Sequence, residues 1–390
     1  MDFELTEEQE IFRESFRKFL EAEIQPLDDR FGDEEMTAER ARELSKQLIP
    51  WGFLGGEAAA EIERDTTIRC VQNEELSRVF PGLSGITGMT AACAAGIAAG
   101  GHPEVAERLV EPMRQGELIG SNAISEPNVG SDASAIECRA EKKGDRWIVN
   151  GTKCWISNGH IADVTLALVQ TDPAQGPAGL RHFVIDRRES PFESRETPTI
   201  GLKSFPTSEL YFRDLEVPDM NRIGSWQESS GSEGAGKAFR RFLTGVAGAR
   251  AGAGLMSVGI AQRAFDIAFG YVQQRKQFGK EIARFQLVSA MIAEMATEID
   301  AARLLCHRAF HSLRKGRSDV AASMAKWYGT EMGVRVTSTA IQCMGSNGLA
   351  SENRVERCLR DARMLTMPDG TTQIQKLIIG RALTGMSAIR

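Results

Sequence analysis

The sequence predicts an α+β protein with an N-terminal helical domain, a central β-domain and a C-terminal four-helix bundle. Three observations predict it. Apolar residues recur at helical spacing through the first third of the chain, short β-type runs fill the middle, and long helical patterns follow to the end. This order argues against a doubly wound dinucleotide fold, and no G-x-G-x-x-G motif lies between a strand and a helix in the middle third.

The composition indicates a soluble, cytoplasmic protein. Its 390 residues, 42% of them hydrophobic, are enough for two or three domains with sizeable cores. The formal net charge of -6 argues against a nucleic-acid partner, and seven scattered cysteines without metal-ligand spacing predict reduced thiols and no metal site. The acidic N-terminus does not fit a signal or transit peptide, and the most apolar segment, 86–100, is shorter than the ~20 residues that span a membrane.

The N-terminal domain, predicted over residues 1–118, begins with a helix. Thr6 and Gln9 have the form of a capping box, and apolar residues then fall on one helical face. Further helical patterns cover about 37–49, 66–79, 84–100 and 103–115. The Ala/Gly-rich segment 84–100 predicts close packing against another element, with a slot for a narrow substrate as the alternative.

The central β-domain, predicted over residues 119–225, contains short strands and two polar clusters, 123–132 and 154–159. The strand patterns lie at 138–140, 146–151, 153–157, 164–170, 182–185 and 210–212. Trp155 precedes Ser157 by two residues, so on a regular strand both point to the same face. A ring beside a hydroxyl suits a flat, hydrogen-bonding ligand such as a flavin, and an ordinary loop or strand end is the alternative.

The C-terminal bundle, predicted over residues 226–390, follows a Gly/Ser-rich connector at 224–236. Helical patterns cover about 238–274, 283–314, 318–344 and 350–363, with a final helix from about 371. Arg275 continues the apolar stripe of the first of these helices. A fixed charge in that position predicts a bound anion or, alternatively, a side chain that extends into solvent.

A turn at Pro368-Asp369-Gly370 comes directly before the final helix. The free N–H groups in the first turn of a helix can hold an anion, and a carboxylate placed there projects from a rigid support. Asp369 is therefore a candidate functional acid, and the alternative is a turn residue with no further role.

Five ordered motifs together resemble the acyl-CoA dehydrogenases, and the similarity runs from the first helix to the last. They are Ser-Glu-Pro-Asn-Val-Gly-Ser-Asp at 125–132, Trp-Ile-Ser-Asn-Gly at 155–159, Arg-Lys-Gln-Phe-Gly-Lys at 275–280 with Phe285-Gln286, Gln-Cys-Met-Gly-Ser-Asn-Gly at 342–348, and Arg-Asp-Ala at 360–362 followed by Asp369-Gly-Thr. The resemblance implies the same three-part fold, FAD as the cofactor, and a homotetramer, a dimer of dimers, with FAD across a subunit interface.

By this resemblance, residues from several motifs are expected to bind FAD. Those around the flavin are Asn122, Ile124, Ser125, Gly130, Ser131, Trp155, Ile156 and Ser157, with Ser125 and Ser157 on its ring edges. Those meeting the FAD of the neighbouring subunit are Arg275, Gln277 and Phe278, with Arg275 on its pyrophosphate. The adenosine side is expected at Phe285, Gln286, Gln342, Cys343, Gly345 and Ser346, and the phosphates at Thr371 and Gln373. The substrate thioester is expected to border Ser131, Ala247, Arg250, Gly370 and Arg381.

The resemblance also implies the reaction, which is α,β-dehydrogenation of an acyl-CoA to the trans-2-enoyl thioester. A carboxylate removes an α-proton, the β-hydrogen leaves as hydride to flavin N5, and an electron-transfer flavoprotein takes the electrons. The family base is normally Glu, and its position here holds Asp369. Free Asp has a pKa near ~3.9, so we expect a dry site that raises it. The side chain is roughly an ångström shorter than Glu, a displacement that can cost on the order of a hundredfold in rate.

Two other departures from the family bear on the base and on the substrate. Some relatives place the base Glu on the helix near the residue before Arg250, but here that residue is Ala249 and no alternative base is visible there. The segment Gly56-Glu-Ala-Ala-Ala-Glu61 replaces the usual loop beside the acyl pocket. No acyl-chain preference is therefore predicted.

Three alternatives are compatible with the same residues. Nitroalkane oxidase, a relative, also uses an Asp base but needs no CoA-binding surface, so Ser131 and Arg381 favour the thioester. A thioester on an acyl carrier protein is the second alternative. The third is an inactive subunit of a hetero-oligomer whose partner supplies the base, which predicts bound FAD without turnover.

Overall fold

The computed structural model describes residues 4–224, 235–316 and 319–388. Within these ranges an N-terminal helical region, a central β-sheet and a set of long C-terminal helices follow one another, which confirms the predicted fold class. The predicted boundary at 225–226 and most of the connector at 224–236 lie outside the described residues.

The N-terminal region consists of helices joined by short turns. Their bounds are Glu7–Phe19 (α1), Gln25–Phe31 (α2), Ala38–Gln47 (α3), Gly56–Ile62 (α4), Thr66–Val79 (α5), Pro81–Gly100 (α6) and Pro103–Arg114 (α7). A π-helical turn, Leu20–Ile24, joins α1 to α2. The predicted capping box is present, because the Thr6 hydroxyl accepts a hydrogen bond from Gln9 N and the Gln9 side chain accepts one from Thr6 N.

Helix α6 is longer than the segment predicted from sequence. At 20 residues it is long and apolar enough, by those two criteria, to cross a membrane, so the expectation of a segment too short for this was wrong. However, 56% of its apolar window is buried inside the protein. A Cβ added to Gly96 would lie 2.8 Å from Leu166 Cδ1 of the sheet. This helix has the burial of a core helix, and the close packing predicted for it is observed.

The central sheet has seven strands within the described ranges. They are Gly120–Ala123 (β1), Arg139–Lys143 (β2), Arg146–Ser157 (β3), Val164–Gln170 (β4), Leu180–Asp186 (β5), Glu193–Glu196 (β6) and Thr207–Pro218 (β7). The order is β1-β4-β2-β3-β7-β6, with β5 paired to β4. Strand β1 is parallel to β4, and β3 is antiparallel to β2 and β7. The two strands predicted at 146–151 and 153–157 form one strand, β3, whose pairing with β7 has two register shifts.

The C-terminal helices are Ala235–Gln274 (α8), Gln286–Arg314 (α9), Asp319–Met344 (α10), Val355–Leu365 (α11) and Thr372–Thr384 (α12). A two-stranded hairpin, Lys276–Gln277 with Lys280–Glu281, follows α8. Helices α8 and α10 approach closely, because a Cβ added to Gly254 would lie 2.6 Å from Ala325 O. This contact places the next residue of α10, Lys326, deep in the bundle.

Asp28 of α2 joins the three parts of the fold. Its carboxylate is fully buried and accepts hydrogen bonds from Arg263 of α8, at 2.8 Å, and from Arg357 of α11. Arg357 also donates to Asp361 at 3.4 Å, and the other Asp361 oxygen accepts from Leu202 N at 2.6 Å. Since Leu202 belongs to the central part of the chain, this buried network connects the N-terminal helices, the sheet and the bundle.

Candidate functional site

The turn between α11 and α12 carries the candidate base. Asp369 has φ 58° and Gly370 has φ 91°, both in the left-handed region. Aspartate enters this region more readily than most residues, and glycine does so without steric cost. A Cβ on Gly370 would lie 2.8 Å from Gln375 Nε2, so the position also lacks space for a side chain. The Thr371 side chain then caps α12 by accepting from Ile374 N.

Two side chains fix the backbone of this turn from outside. Arg250 Nε, on α8, donates to Asp369 O at 3.1 Å. Gln375 Nε2, on α12, donates to Asp369 O at 3.0 Å and to Gly370 O at 2.8 Å. The structure therefore brings together three residues predicted for the catalytic and substrate sites, Asp369, Arg250 and Gly370.

Lys326 also fixes this turn, and it was not predicted from sequence. Its side chain is 0% exposed, and Nζ donates to Thr366 O at 2.8 Å and to Gly370 O at 2.9 Å. Burial lowers the pKa of Lys326 to about 8, although the nearby carboxylates of Asp369 and Glu331 act to raise it. The amine is consequently still mostly charged at neutral pH. The one signal for Lys326 in the sequence is that a lysine stands among small residues on α10, at a position where the helical spacing predicts a core residue.

The Asp369 carboxyl is half-buried. Burial raises its pKa above the ordinary value, while the positive charges of Lys326 and Arg250 act in the opposite direction. The net effect is a raised pKa, which makes the carboxylate a better proton acceptor than free Asp, and the two cations limit that rise.

The two polar clusters predicted to hold a flavin lie side by side. Cys154 N, on β3, donates to Ser125 O at 2.9 Å. The neighbouring Lys153 is 0% exposed, and its Nζ donates to Ile124 O at 3.0 Å and to Glu126 Oε1 at 2.7 Å. Burial lowers the pKa of Lys153, and Glu126 counteracts this. A buried ion pair therefore underlies the 122–131 segment.

Glu126 extends this support along the loop. Its carboxylate accepts from Glu137 N at 2.7 Å and from Cys138 N at 3.0 Å. The loop from 126 to 138 is thereby closed onto a single side chain, and the residues before it, including Ser125, are held against β3.

Trp155 and Asn122 have the features expected around a flat ligand. Trp155 lies in a register shift of β3 with φ 59°, and its side chain is 64% exposed. Strict strand alternation therefore does not govern its direction relative to Ser157. Asn122 Oδ1 is buried and has no hydrogen-bond partner within the described part of the chain.

The motif at 275–280 forms the exposed hairpin after α8. Phe278 is 93% exposed at its tip, with φ 49°, and its ring lies 6.0 Å from that of Phe285. Arg275 and Gln277 are exposed too. This hairpin therefore leaves Arg275, Gln277 and Phe278 accessible at the surface of the chain.

The remaining predicted residues divide by exposure. The exposed ones are Gly130, Ser131, Gln286, Gln342, Gly345, Ser346, Gln373 and Arg381. Ile156, Cys343 and Ala247 are instead buried at 2%, 5% and 1% exposure in hydrophobic cores.

Three family profiles match consecutive parts of the chain. They are described as acyl-CoA dehydrogenase N-terminal domain, at residues 6–117, middle domain, at 121–215, and C-terminal domain, at 236–384. The chain belongs to the acyl-CoA dehydrogenase family. The predicted family and the predicted oxidoreductase class are confirmed.

Several relatives are similar to this chain over nearly their full lengths. The short-chain-specific acyl-CoA dehydrogenase of Clostridium acetobutylicum is 32% identical over 97% of this chain and 98% of its own. The structure of butyryl-CoA dehydrogenase from Megasphaera elsdenii is similar at a TM-score of 0.87 and 30% identity, covering 98% of this chain and 100% of that one. A glutaryl-CoA dehydrogenase in complex with glutaryl-CoA gives a TM-score of 0.87 at 31% identity, covering 100% and 98%.

Solved relatives of this family member contain FAD. PigA, in its FAD complex, has a TM-score of 0.85 at 26% identity and covers 98% of this chain and 99% of its own. Across the described ranges, no group of three or more His, Cys, Asp or Glu residues is arranged to hold a metal ion.

Proposed function

We propose that this chain is an FAD-dependent acyl-CoA dehydrogenase that converts a saturated acyl thioester to the trans-2-enoyl thioester, with Asp369 as the base. The observation that carries the proposal is the half-buried Asp369 carboxyl, whose pKa burial raises, on a turn fixed by Arg250 and Gln375. A carboxylate that must take a proton from a carbon acid works best when its pKa is nearer to the working pH than that of free Asp.

The residues along β1 and β3 fit a flavin. Trp155 offers an exposed aromatic face, and the unpaired Asn122 Oδ1 would accept from a donor on a ligand. We place the ring system against the 122–131 segment and 155–157, with Thr371 and Gln373 toward the phosphates at the start of α12. When bound, FAD supplies the acceptor for the hydride from the substrate β-carbon.

The residues of the turn then have separate tasks. Asp369 takes the α-proton on its carboxylate. Its backbone N–H donates to the thioester carbonyl, which stabilises the negative charge that develops there. Arg250 and Gln375 keep the turn from shifting, since each donates to a backbone carbonyl of the turn. A short acid requires the α-carbon to approach the backbone closely.

The proposed assembly is a homotetramer, a dimer of dimers. It is supported by the exposed hairpin with Phe278 and by exposed apolar side chains on the bundle, among them Leu287 and Leu383, 81% and 72% exposed. Arg275 at the start of that hairpin would reach the FAD of a neighbouring subunit. A monomer mass by analytical ultracentrifugation would contradict this part of the proposal.

We further propose an electron-transfer flavoprotein as electron acceptor, the cytoplasm as location, and a role in fatty acid metabolism. A solved relative with a TM-score of 0.87 and 30% identity comes from work on the electron transferring flavoprotein of Acidaminococcus fermentans. The seven scattered cysteines, all free thiols, support the location.

Anaerobic titration of the FAD-loaded protein tests the proposed function. The panel is straight-chain, branched and cyclic acyl-CoAs, the matching acyl carrier protein thioesters, and nitroethane, with bleaching of the oxidised flavin band as the readout. We expect bleaching by at least one acyl-CoA and formation of the 2-enoyl product. Bleaching by nitroethane alone favours a nitroalkane oxidase, and bound FAD that no compound reduces favours an inactive subunit.

Lys153→Met should weaken FAD retention. The substitution leaves the Glu126 carboxylate buried without its cation, and breaking a buried pair in this way costs about 3–5 kcal/mol. We expect thermal stability to fall and the FAD dissociation constant to rise by roughly tenfold or more, measured by calorimetry and by flavin fluorescence.

Lys142→Met on the adjacent strand is the matched control, because that lysine is half-exposed and pairs with Asp219 at the surface. Wild-type FAD affinity and stability in Lys153→Met would show that the buried pair does not support the site.

A further inference from the structure

We propose that Lys326 is a positioning residue for the dehydrogenation, which holds the Asp369 turn closed and places a positive charge near the base. The inference rests on the proposed function of Asp369 and adds a residue 43 positions earlier in the sequence. Lys326 does not contact the substrate in this proposal and acts only through the turn.

The geometry places Lys326 across the base of the turn. Its two acceptors, Thr366 O and Gly370 O, lie on either side of Asp369 in the sequence, at 2.8 and 2.9 Å from Nζ. One ammonium group thus ties the end of α11 to the residue after the base. The depth of Nζ is set by the close contact of α8 and α10 at Gly254 and Ala325.

The groups around Nζ explain why a charge is present there. Three charged side chains act on it: Asp369 in the turn, Glu331 on its own helix, and Arg250 on α8. Glu331 accepts a 2.5 Å hydrogen bond from the Thr372 hydroxyl, which engages it with α12. The charges of Lys326 and Arg250 both act on the Asp369 carboxyl, so it receives the effect of both cations.

If packing were the only role of Lys326, an apolar side chain could fill the same space at a lower free-energy cost. Burying an ammonium group carries a desolvation penalty, and a methionine of similar length would fill the same volume without that penalty. Two backbone carbonyls alone are also satisfied by a neutral donor. What only a cation provides is the electrostatic effect on Asp369, and this is the property that can be measured.

Lys326→Met removes both the hydrogen bonds to the turn and the positive charge, whereas Lys326→Arg keeps the positive charge. In the wild type the base is active above the pKa of Asp369 and is lost as the pH falls through it. Because the Lys326 charge lowers that pKa, its removal shifts the acid limb of the pH profile to higher pH. We also expect kcat at pH 7 to fall by roughly tenfold or more, because the turn loses a tether, while KM changes little.

The test uses the FAD-loaded full-length protein and the acyl-CoA that bleaches the wild type fastest. The pH profile of kcat is measured for the wild type, Lys326→Met, Lys326→Arg and the control Lys376→Met. Lys376 is an exposed lysine on α12 that lies over the ring of Trp327 on α10. We expect an upward shift of the acid limb in Lys326→Met alone. An unmoved limb in a folded Lys326→Met protein, or an equal shift in Lys376→Met, overturns the proposal.

A second measurement needs no turnover and separates this inference from the proposed function. The protonated-carboxyl infrared band that is missing in Asp369→Asn is titrated against pH in the wild type and in Lys326→Met. The band should persist to higher pH in Lys326→Met, whether or not any acyl-CoA is oxidised. Where Lys326→Met does not fold, Lys326→Gln replaces it in both measurements, and the same titration in Lys326→Gln then decides.

Discussion

Asp369→Asn lowers the rate of flavin reduction by the preferred acyl-CoA by on the order of 100- to 10,000-fold, the contribution typical of a positioned general base. The amide keeps the shape of the side chain and tolerates the left-handed backbone that Asp369 adopts, at φ 58°. FAD content should be unchanged, because the carboxyl is assigned to the substrate. Anaerobic stopped-flow absorbance of the flavin measures the rate directly.

Asp214→Asn is the matched control for this substitution. Asp214 is another aspartate in the left-handed region, with φ 46°, and it lies in β7, where it contacts Asn150. We expect wild-type reduction kinetics in this variant. Parental kinetics in Asp369→Asn would remove Asp369 from the role of base, and loss of FAD would move its role to the cofactor.

Asp28→Asn should cause a large loss of stability with almost no change in side-chain volume. The variant leaves the buried Arg357 and the partly buried Arg263 with no anion between them, and breaking a buried pair costs about 3–5 kcal/mol. The midpoint of chemical unfolding, followed by circular dichroism, should fall accordingly. An Asp28→Asn protein that unfolds at the wild-type midpoint would mean that the Asp28 network contributes to the specificity of the fold rather than to its stability.

Glu193→Gln provides the comparison at the surface. Glu193 accepts from Arg213 at 2.9 Å, but both side chains are largely exposed, so water screens the pair. We expect no measurable change in its unfolding midpoint, which separates the effect of burial from the effect of removing a negative charge.

Much of the fold follows from local patterns in the sequence. The long C-terminal helices and strand β4 were predicted near their observed bounds, because their periodicity and turn residues are strong. Strands β1 and β6 were not, since Gly120-Ser-Asn-Ala123 and Glu193-Ser-Arg-Glu196 contain little apolar patterning. Their strand conformation depends on the neighbours with which they pair, β4 and β7.

The site was predictable where its signals are local. Pro368-Asp369-Gly370 identifies a turn before a helix, and that turn is present. Lys326 and Lys153 could not be assigned in this way, because their roles depend on carbonyls and carboxylates that only the folded chain brings within reach. The signal available in the sequence was a lysine within a stretch of small residues. That signal alone does not say which groups the ammonium contacts.

The left-handed backbone at position 369 gives the shorter acid an advantage of its own. Glutamate, the usual residue of the family, would adopt φ 58° with more steric resistance than aspartate, a difference within the ~1–2 kcal/mol that this conformation costs ordinary residues. For the proposed role of base, an exchange between the two acids is therefore asymmetric: the longer one gains reach toward the substrate and strains the chain, and the shorter one relaxes the chain and restricts which substrates can come near enough.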